Sequence, residues 1–333
     1  MHTFPAQYST LSSVALNDHI AAAYGLSGLF CKLLMHGVSD TYILTRDDDP
    51  AYIFKVYRHS HRDTHGIQGE LELLNTLYAQ GVKLAYPITD LQGQQLQHFN
   101  AAEGPRYGVL FIYAKGRTVY DFTDAQLTAL GREMARFHQV SAAITLQHER
   151  ETYDLQRMLL QPLQTLAPAF KDYPEGHTYL TATASQIIQK LDTLGTADFT
   201  TGYCHYDFLP KNFHFDEQDN ITFFDFDFAG KGWLAHDVTS FYMHFFFHTA
   251  TQKMTQPEAD RAFALFLDAY RQVQPFSAAE AAAVPYLGFI FWVFYLGFQY
   301  EHKDDWSNYF FNTRYLQDRV GIIKKYISLY CPL

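Results

Sequence analysis

The hydrophobic rhythm of this sequence changes once, and that change sets the architecture. Up to Tyr113 the apolar residues fall in short β-rich runs, Tyr42 to Thr45, Tyr52 to Tyr57 and Tyr107 to Tyr113, the first two split by Asp47, Asp48, Asp49 and Pro50. Such runs divided by turn-forming residues predict antiparallel strands. Within this part, Ile67, Leu71, Leu74, Leu77 and Tyr78 recur at helical spacing from Gly66 to Gln80, and Gly81 is a stop signal. Beyond Ala114, Lys115 and Gly116 the helical period dominates: Asp124 to Val140, Leu155 to Leu166, Tyr179 to Leu194, Pro257 to Gln272, Ala278 to Tyr300 and Thr313 to Leu329. Strands gathered in one part and helices in the other predict an α+β chain of two lobes. The expected division is a small β-rich lobe with one key helix over residues 1–111 and a larger, mainly helical lobe over 112–333, with a hinge near 111–116.

One segment interrupts the helical part. From Gly202 to Phe228, aromatic and β-branched residues flank a turn of Asp216, Glu217, Gln218, Asp219 and Asn220. The segment begins Tyr203-Cys204-His205-Tyr206-Asp207-Phe208-Leu209-Pro210-Lys211-Asn212, which fits the His-x-Asp-x-x-x-x-Asn loop of phosphoryl-transfer enzymes. Pairing of Phe213 to Phe215 with Ile221 to Phe223 across the turn would bring Asn212 and Asp225 out at one end of a hairpin. A strand continuing to Phe228 would put Asp225 and Asp227 on one face. An amide oxygen and one or two carboxylates are the protein's usual share of a magnesium site. Asp207 would then face an acceptor hydroxyl.

In the first part, Lys55 lies mid-strand on the face of Ile53 and Tyr57. On the helix that follows, Glu70 falls at the edge of the apolar stripe and Glu72 points outward. A buried Lys and Glu brought together match the pair that positions nucleotide phosphates, or else form a structural ion pair. The loop Gly37-Val38-Ser39-Asp40-Thr41 offers backbone amides and the Ser39 hydroxyl for covering phosphates, and an ordinary turn is the other reading of it.

Composition narrows the partners. A formal charge of -10 repels a phosphate backbone and speaks against nucleic acid or an anionic membrane, while leaving room for a cationic substrate. Cys31, Cys204 and Cys331 are too few for a disulfide framework, so a reducing cytoplasm is expected. No secretory signal pattern is read at the start, and the most apolar window, Val284 to Phe298, with Pro285 inside it, is expected to be a buried helix. Substrate-wall candidates in the helical part are Asp227, Trp233, Tyr242, Trp292, Tyr295, Glu301, Asp304 and Asp305.

Two rivals stand beside the kinase reading. A metal-dependent hydrolase would use His205, Asp207, His214, Asp216, Asp225, Asp227, His236 and Asp237, and gives no role to Lys55, Glu70 or Asn212. A binding-only module has no need of Asp207. Among kinases, a protein Ser/Thr kinase competes with a small-molecule kinase.

With these residues assembled, the chain resembles the aminoglycoside phosphotransferase and choline kinase-like family, which has a protein-kinase-like fold. The branch it resembles most is that of homoserine kinase type II and stress-response kinases. The resemblance runs through Gly37 to Tyr42, Phe54 to Arg58, Gly104 to Tyr107, and Phe224-Asp225-Phe226-Asp227 followed by Gly230, Gly232, Trp233 and Asp237. It implies Asp207 as catalytic base, Asn212 and Asp225 as magnesium ligands, Lys55 and Glu70 as the phosphate-positioning pair, and Asp237 as a brace for the catalytic loop. It further implies ATP or GTP between the lobes, with the adenine held through the Ile112 carbonyl and the Ala114 amide. A small molecule bearing a hydroxyl, such as an antibiotic, amino alcohol or sugar, is the implied acceptor. One departure marks this chain: Tyr206 stands where the family usually has glycine.

Overall fold

The structure, a computed structural model, describes residues 4–58, 61–303 and 310–333. The chain divides into two units: Met1–Arg117 with Thr145–Arg150 and Phe213–Phe224, and Thr118–Ile144 with Glu151–Asn212 and Asp225–Leu333. An antiparallel sheet with its helices fills the first, and helices fill most of the second, the α+β arrangement expected from the sequence.

The first unit opens with α1 (Ser13–Tyr24), capped by the Ser12 side chain and closed by Gly25 in the left-handed region. Strands β1 (Phe30–His36), β2 (Ser39–Arg46) and β3 (Asp49–Tyr57) follow, then α2 (Thr64–Ala79), β4 (Leu96–Ala101) and β5 (Gly104–Ile112). The sheet order is β1-β2-β3-β5-β4. Leu16, Ile20 and Tyr24 of α1 pack on Cys31, Tyr42, Leu44, Phe54, Val56 and Leu110 of the sheet. This unit therefore has a second helix besides the single one expected. The fully buried Arg106 fixes β5 to the start of β2: its guanidinium donates to Asp40 Oδ2 at 2.7 Å and to the Tyr57 carbonyl at 3.0 Å, and the Tyr8 hydroxyl also donates to Asp40.

The second unit holds α3 (Asp124–Ser141), a π-turn at Gln156–Leu160 running into α4 (Gln161–Leu166), and α5 (Pro174–Leu194). Next come β6 (Thr201–Cys204) and a loop closed by a short 3-10 turn at Pro210–Asn212. The hairpin β7 (Phe213–Phe215) and β8 (Ile221–Phe223) belongs to the first unit, where the Ala85 amide donates to the Phe223 carbonyl at 2.8 Å. The chain returns to the second unit with β9 (Gly230–Trp233), which pairs antiparallel with β6. Helices α6 (Ala235–Ala250), α7 (Gln256–Arg271), α8 (Ala278–Glu301) and α9 (Thr313–Tyr330) complete it.

Two expectations are corrected. The strand over Ile221 to Phe228 ends at Phe223, because Asp225 takes φ +64°, a left-handed conformation that breaks the alternation of a strand. Asp225 and Asp227 therefore do not share a strand face. Helix α6 lay outside the expected helices: it is buried on nearly every side, so no polar stripe marks its period. The helix expected over Ala278 to Tyr300 is present as α8, with the apolar window Val284 to Phe298 inside it. At 24 residues α8 runs through Pro285 and is long and apolar enough to cross a membrane, but 61% of its most apolar window is buried inside the protein.

Candidate active site

The loop after β6 is held by one carboxylate. Asp237, in the first turn of α6, accepts the His205 amide on Oδ2 and the Tyr206 amide on Oδ1, both at 2.7 Å. His138 Nε2 lies 3.0 Å from the same Oδ2, and its Nδ1 lies 2.7 Å from the Tyr270 hydroxyl. A charged acceptor for two adjacent buried amides fixes a backbone that has no ladder of its own.

That backbone is unusual at Tyr206, where φ is +65°. The left-handed region suits glycine and costs a bulky residue roughly 1 to 3 kcal/mol. Here the ring offsets the strain by burial: it lies 4.0 Å from Tyr153 and 5.2 Å from His236 between centroids. Gly232 of β9 makes room for it, since a Cβ there would sit 1.9 Å from the Tyr206 hydroxyl. Burial also pushes the His236 imidazole down to about 4, so it packs as a neutral ring.

Asp207 follows, and its two oxygens are treated differently. Oδ2 accepts from Asn212 Nδ2 at 2.8 Å and from Lys211 Nζ at 2.7 Å. Oδ1 is buried with no hydrogen-bond partner. The Tyr295 phenol of α8 lies against this carboxylate, and burial together with the Asp207 charge pushes its pKa well up. Burial works against the Lys211 ammonium, but Asp207 and then Asp225 outweigh it and hold its pKa above the ordinary lysine value.

Asn212 is oriented by two bonds from Nδ2, to Oδ2 and to the backbone carbonyl of Asp207, each at 2.8 Å. Its amide oxygen is thereby turned away from Asp207 and left as a hard ligand. The register pairs Phe213 with Phe223, so Asn212, one residue before, and Asp225, two residues after, leave from the same end of the hairpin, as the sequence suggested. This donor set suits a magnesium-like ion. The hydrolase set is not gathered: among the described residues no three His, Cys, Asp or Glu side chains form a group able to hold a metal. Asp216 caps its own turn through the Gln218 and Asn220 amides, and His214 bonds the Ala114 carbonyl at 2.6 Å.

In the first unit, Lys55 Nζ lies 3.8 Å from Glu70 Oε1, both side chains buried. Glu70 faces in and Glu72 faces out, where it accepts the Gln147 and His148 amides. Arg150, which carried no signal in the sequence because it arrives from a separate segment, places NH1 3.9 Å from Glu70 Oε2. The loop over 37–41 is a two-residue turn, and Ser39 is the buried first residue of β2. The Ile112 amide bonds the Tyr86 carbonyl at 3.1 Å, whereas the Ala114 amide has no partner among the described residues. Gly116 is required two residues on: φ is +102°, and a Cβ would meet the Phe215 carbonyl oxygen at 2.2 Å.

Of the substrate-wall candidates, Tyr295 reaches Asp207. Trp292 is buried beside Phe246 and Phe247, Tyr242 packs on Phe263 and Tyr330, Trp233 stacks on His236, and Glu301 is exposed at the end of α8. Asp227 is buried. Asp304 and Asp305 lie outside the described residues.

An antiparallel sheet unit carrying a buried Lys–Glu pair, and a helical unit carrying a braced His-x-Asp-x-x-x-x-Asn loop, define a small-molecule kinase fold. Residues 31–276 match the phosphotransferase enzyme family, and the chain belongs to that family of enzymes, which place a phosphoryl group on a hydroxyl. An uncharacterized protein of Deinococcus radiodurans is 30% identical over 284 residues, 85% of this chain and 81% of that one. A homoserine kinase of Paramagnetospirillum magneticum is 26% identical over 298 residues, 85% of this chain and 84% of that one. Among solved structures, a microcompartment-associated aminopropanol kinase aligns with a TM-score of 0.75 at 21% identity, over 95% of this chain and 98% of that one.

Proposed function

We propose that the protein transfers the γ-phosphoryl group of ATP to the hydroxyl of a small amino alcohol or a related molecule, with magnesium as the metal. The observation that carries this reading is the asymmetry of Asp207: one oxygen is held by Asn212 and Lys211, and the other is buried and unpaired. A carboxylate so arranged is fixed in orientation and keeps one oxygen to accept the proton of an acceptor hydroxyl. Bound magnesium would neutralise phosphate charge, and the Asn212 oxygen and Asp225 are the residues that would hold it. Lys55, kept in place by Glu70, would bind the phosphates, and the Ala114 amide would take the adenine edge. Asp237 keeps the loop in its working conformation through the His205 and Tyr206 amides. The protonated amine of an aminopropanol, the substrate named for one structural neighbour, suits the acidic composition of this chain, and homoserine, named for several relatives, carries the same ammonium beside a carboxylate.

The test is an acceptor screen with ATP, reading a mass increase of about 80 Da, the added phosphoryl group. The panel holds homoserine, 1-amino-2-propanol, aminoglycosides, sugars and Ser/Thr peptides. Transfer to a small alcohol, lost about 10²- to 10⁴-fold in Asp207→Asn, is the expected result. Transfer to peptides alone, or an Asp207→Asn variant as active as the parent, would overturn the reading.

A further inference from the structure

The loop brings two carboxylates, Asp207 and Asp225, near one flexible cation. Lys211 Nζ sits 2.7 Å from Asp207 Oδ2, and the titratable groups that face it are Asp207, Asp225 and Tyr120. Asp207 and Asn212 are buried, but the Lys211 side chain is 54% exposed. Its ammonium is thus anchored at one point while most of the stem stays free.

A purely structural role accounts poorly for this arrangement. Asp207 Oδ2 already accepts from Asn212 Nδ2, so it would not be orphaned by loss of the lysine. Nor is the lysine needed to hold the loop, whose backbone Asp237 already fixes through the His205 and Tyr206 amides. An ammonium has three N–H donors, and one bond to Asp207 leaves two for another oxygen. The nearest chemistry is the one Asp207 serves: a phosphoryl group whose transition state spreads negative charge over three equatorial oxygens.

We infer that Lys211 is a catalytic residue that donates N–H bonds to the phosphoryl group in transit while it stays tethered beside Asp207. The inference rests on the kinase reading above. In the transfer, the acceptor oxygen forms its bond to the γ-phosphorus and the bond from that phosphorus to the bridging oxygen of ADP breaks. The hydroxyl proton passes to Asp207, and Lys211 keeps its own protons throughout. The ammonium also lies beside Asp207 before any metal arrives and is felt by Asp225, so its removal takes a positive charge away from the neighbourhood of both carboxylates.

The test compares the parent protein with Lys211→Met and Lys211→Arg. With homoserine and 1-amino-2-propanol as acceptor probes, Lys211→Met should lower kcat by about 10²-fold, the usual cost of one preorganised transition-state donor, with both KM values little changed. Lys211→Arg should restore part of the loss. Two readouts need no turnover. Equilibrium binding should show the preference for ATP over ADP reduced in Lys211→Met, and Mn²⁺ binding to the nucleotide-free protein, followed by electron paramagnetic resonance, should tighten because a competing cation is gone. The melting temperature should stay within about 2 °C. An unchanged kcat, an unchanged ATP/ADP preference, or a loss expressed wholly in KM or in melting would overturn the inference. Failure of the kinase reading is seen separately, as a parent protein that phosphorylates no alcohol, or an Asp207→Asn variant that transfers as well as the parent.

Discussion

The pairing of Tyr206 with Gly232 makes a sharp prediction. An alanine at position 232 would put its Cβ 1.9 Å from the Tyr206 hydroxyl, 3.2 Å from the ring carbon that bears it and 2.9 Å from the Tyr153 carbonyl oxygen. The ring cannot retreat freely, since it lies between Tyr153 and His236. Overpacking of this kind costs about 1 to 3 kcal/mol, and this contact belongs at the upper end. Removing only the hydroxyl, in Tyr206→Phe, takes away the worst contact. That hydroxyl is buried without a hydrogen-bond partner, so Tyr206→Phe alone should fall within about 1 kcal/mol of the parent. The double variant should then recover about 1 to 2 kcal/mol of the Gly232→Ala loss, a coupling typical of residues in contact. Recovery should stop short of complete, because the Tyr153 carbonyl still lies close. Urea unfolding of the four proteins, read as midpoints at constant slope, measures the cycle. If the two substitutions add with no coupling, Gly232 is not small for the sake of Tyr206, and the account of how a tyrosine survives at a left-handed position is wrong.

Two further outcomes follow from the site. His236 is held down to about 4 by burial against about 6.5 in the unfolded chain, so the unfolded state binds more protons in that window. Stability should therefore fall as pH falls, with this residue contributing a loss of about 2 kcal/mol between pH 7 and pH 5; urea midpoints of His236→Gln should decline less over the same range, and an equal decline would refute the assignment. Glu70→Ala removes the carboxylate shared by Lys55 and Arg150, which should cost about 3 kcal/mol in stability and raise KM for ATP more than KM for the acceptor. A variant with the ATP constant unchanged would leave the pair a purely structural one.

Much of this geometry was legible where local rules govern. The register of the 213–223 hairpin follows from a polar turn between two short aromatic runs, and the inward Glu70 follows from helical angle alone. Legibility failed where the cause lies elsewhere in the chain. Asp225 reads as a strand residue by alternation, and only its left-handed backbone removes it. Helix α6 has no polar face because other helices cover it, so periodicity had nothing to report. Arg150 reaches Glu70 from a segment 80 residues away, by a contact no spacing rule contains. Lys211 stood inside the motif in plain view, four residues from Asp207, but the pattern names only the histidine, the aspartate and the asparagine. Tyr206 was visible as a departure from glycine, and the structure supplies the reason for the preference and the packing by which a ring replaces it.

The interleaving of the two units along the chain bears on how the protein comes into being. The sheet unit draws its last strands from Phe213–Phe224, so on the ribosome it stays unfinished until residue 224 of 333 has emerged, by which time 89 residues of the other unit have already been made. A single cut leaves at most one unit with all its segments: at 117–118 the helical unit keeps them, and at 224–225 the sheet unit does. A break anywhere within 118–224 splits both units at once, so damage to one half is inherited by the other.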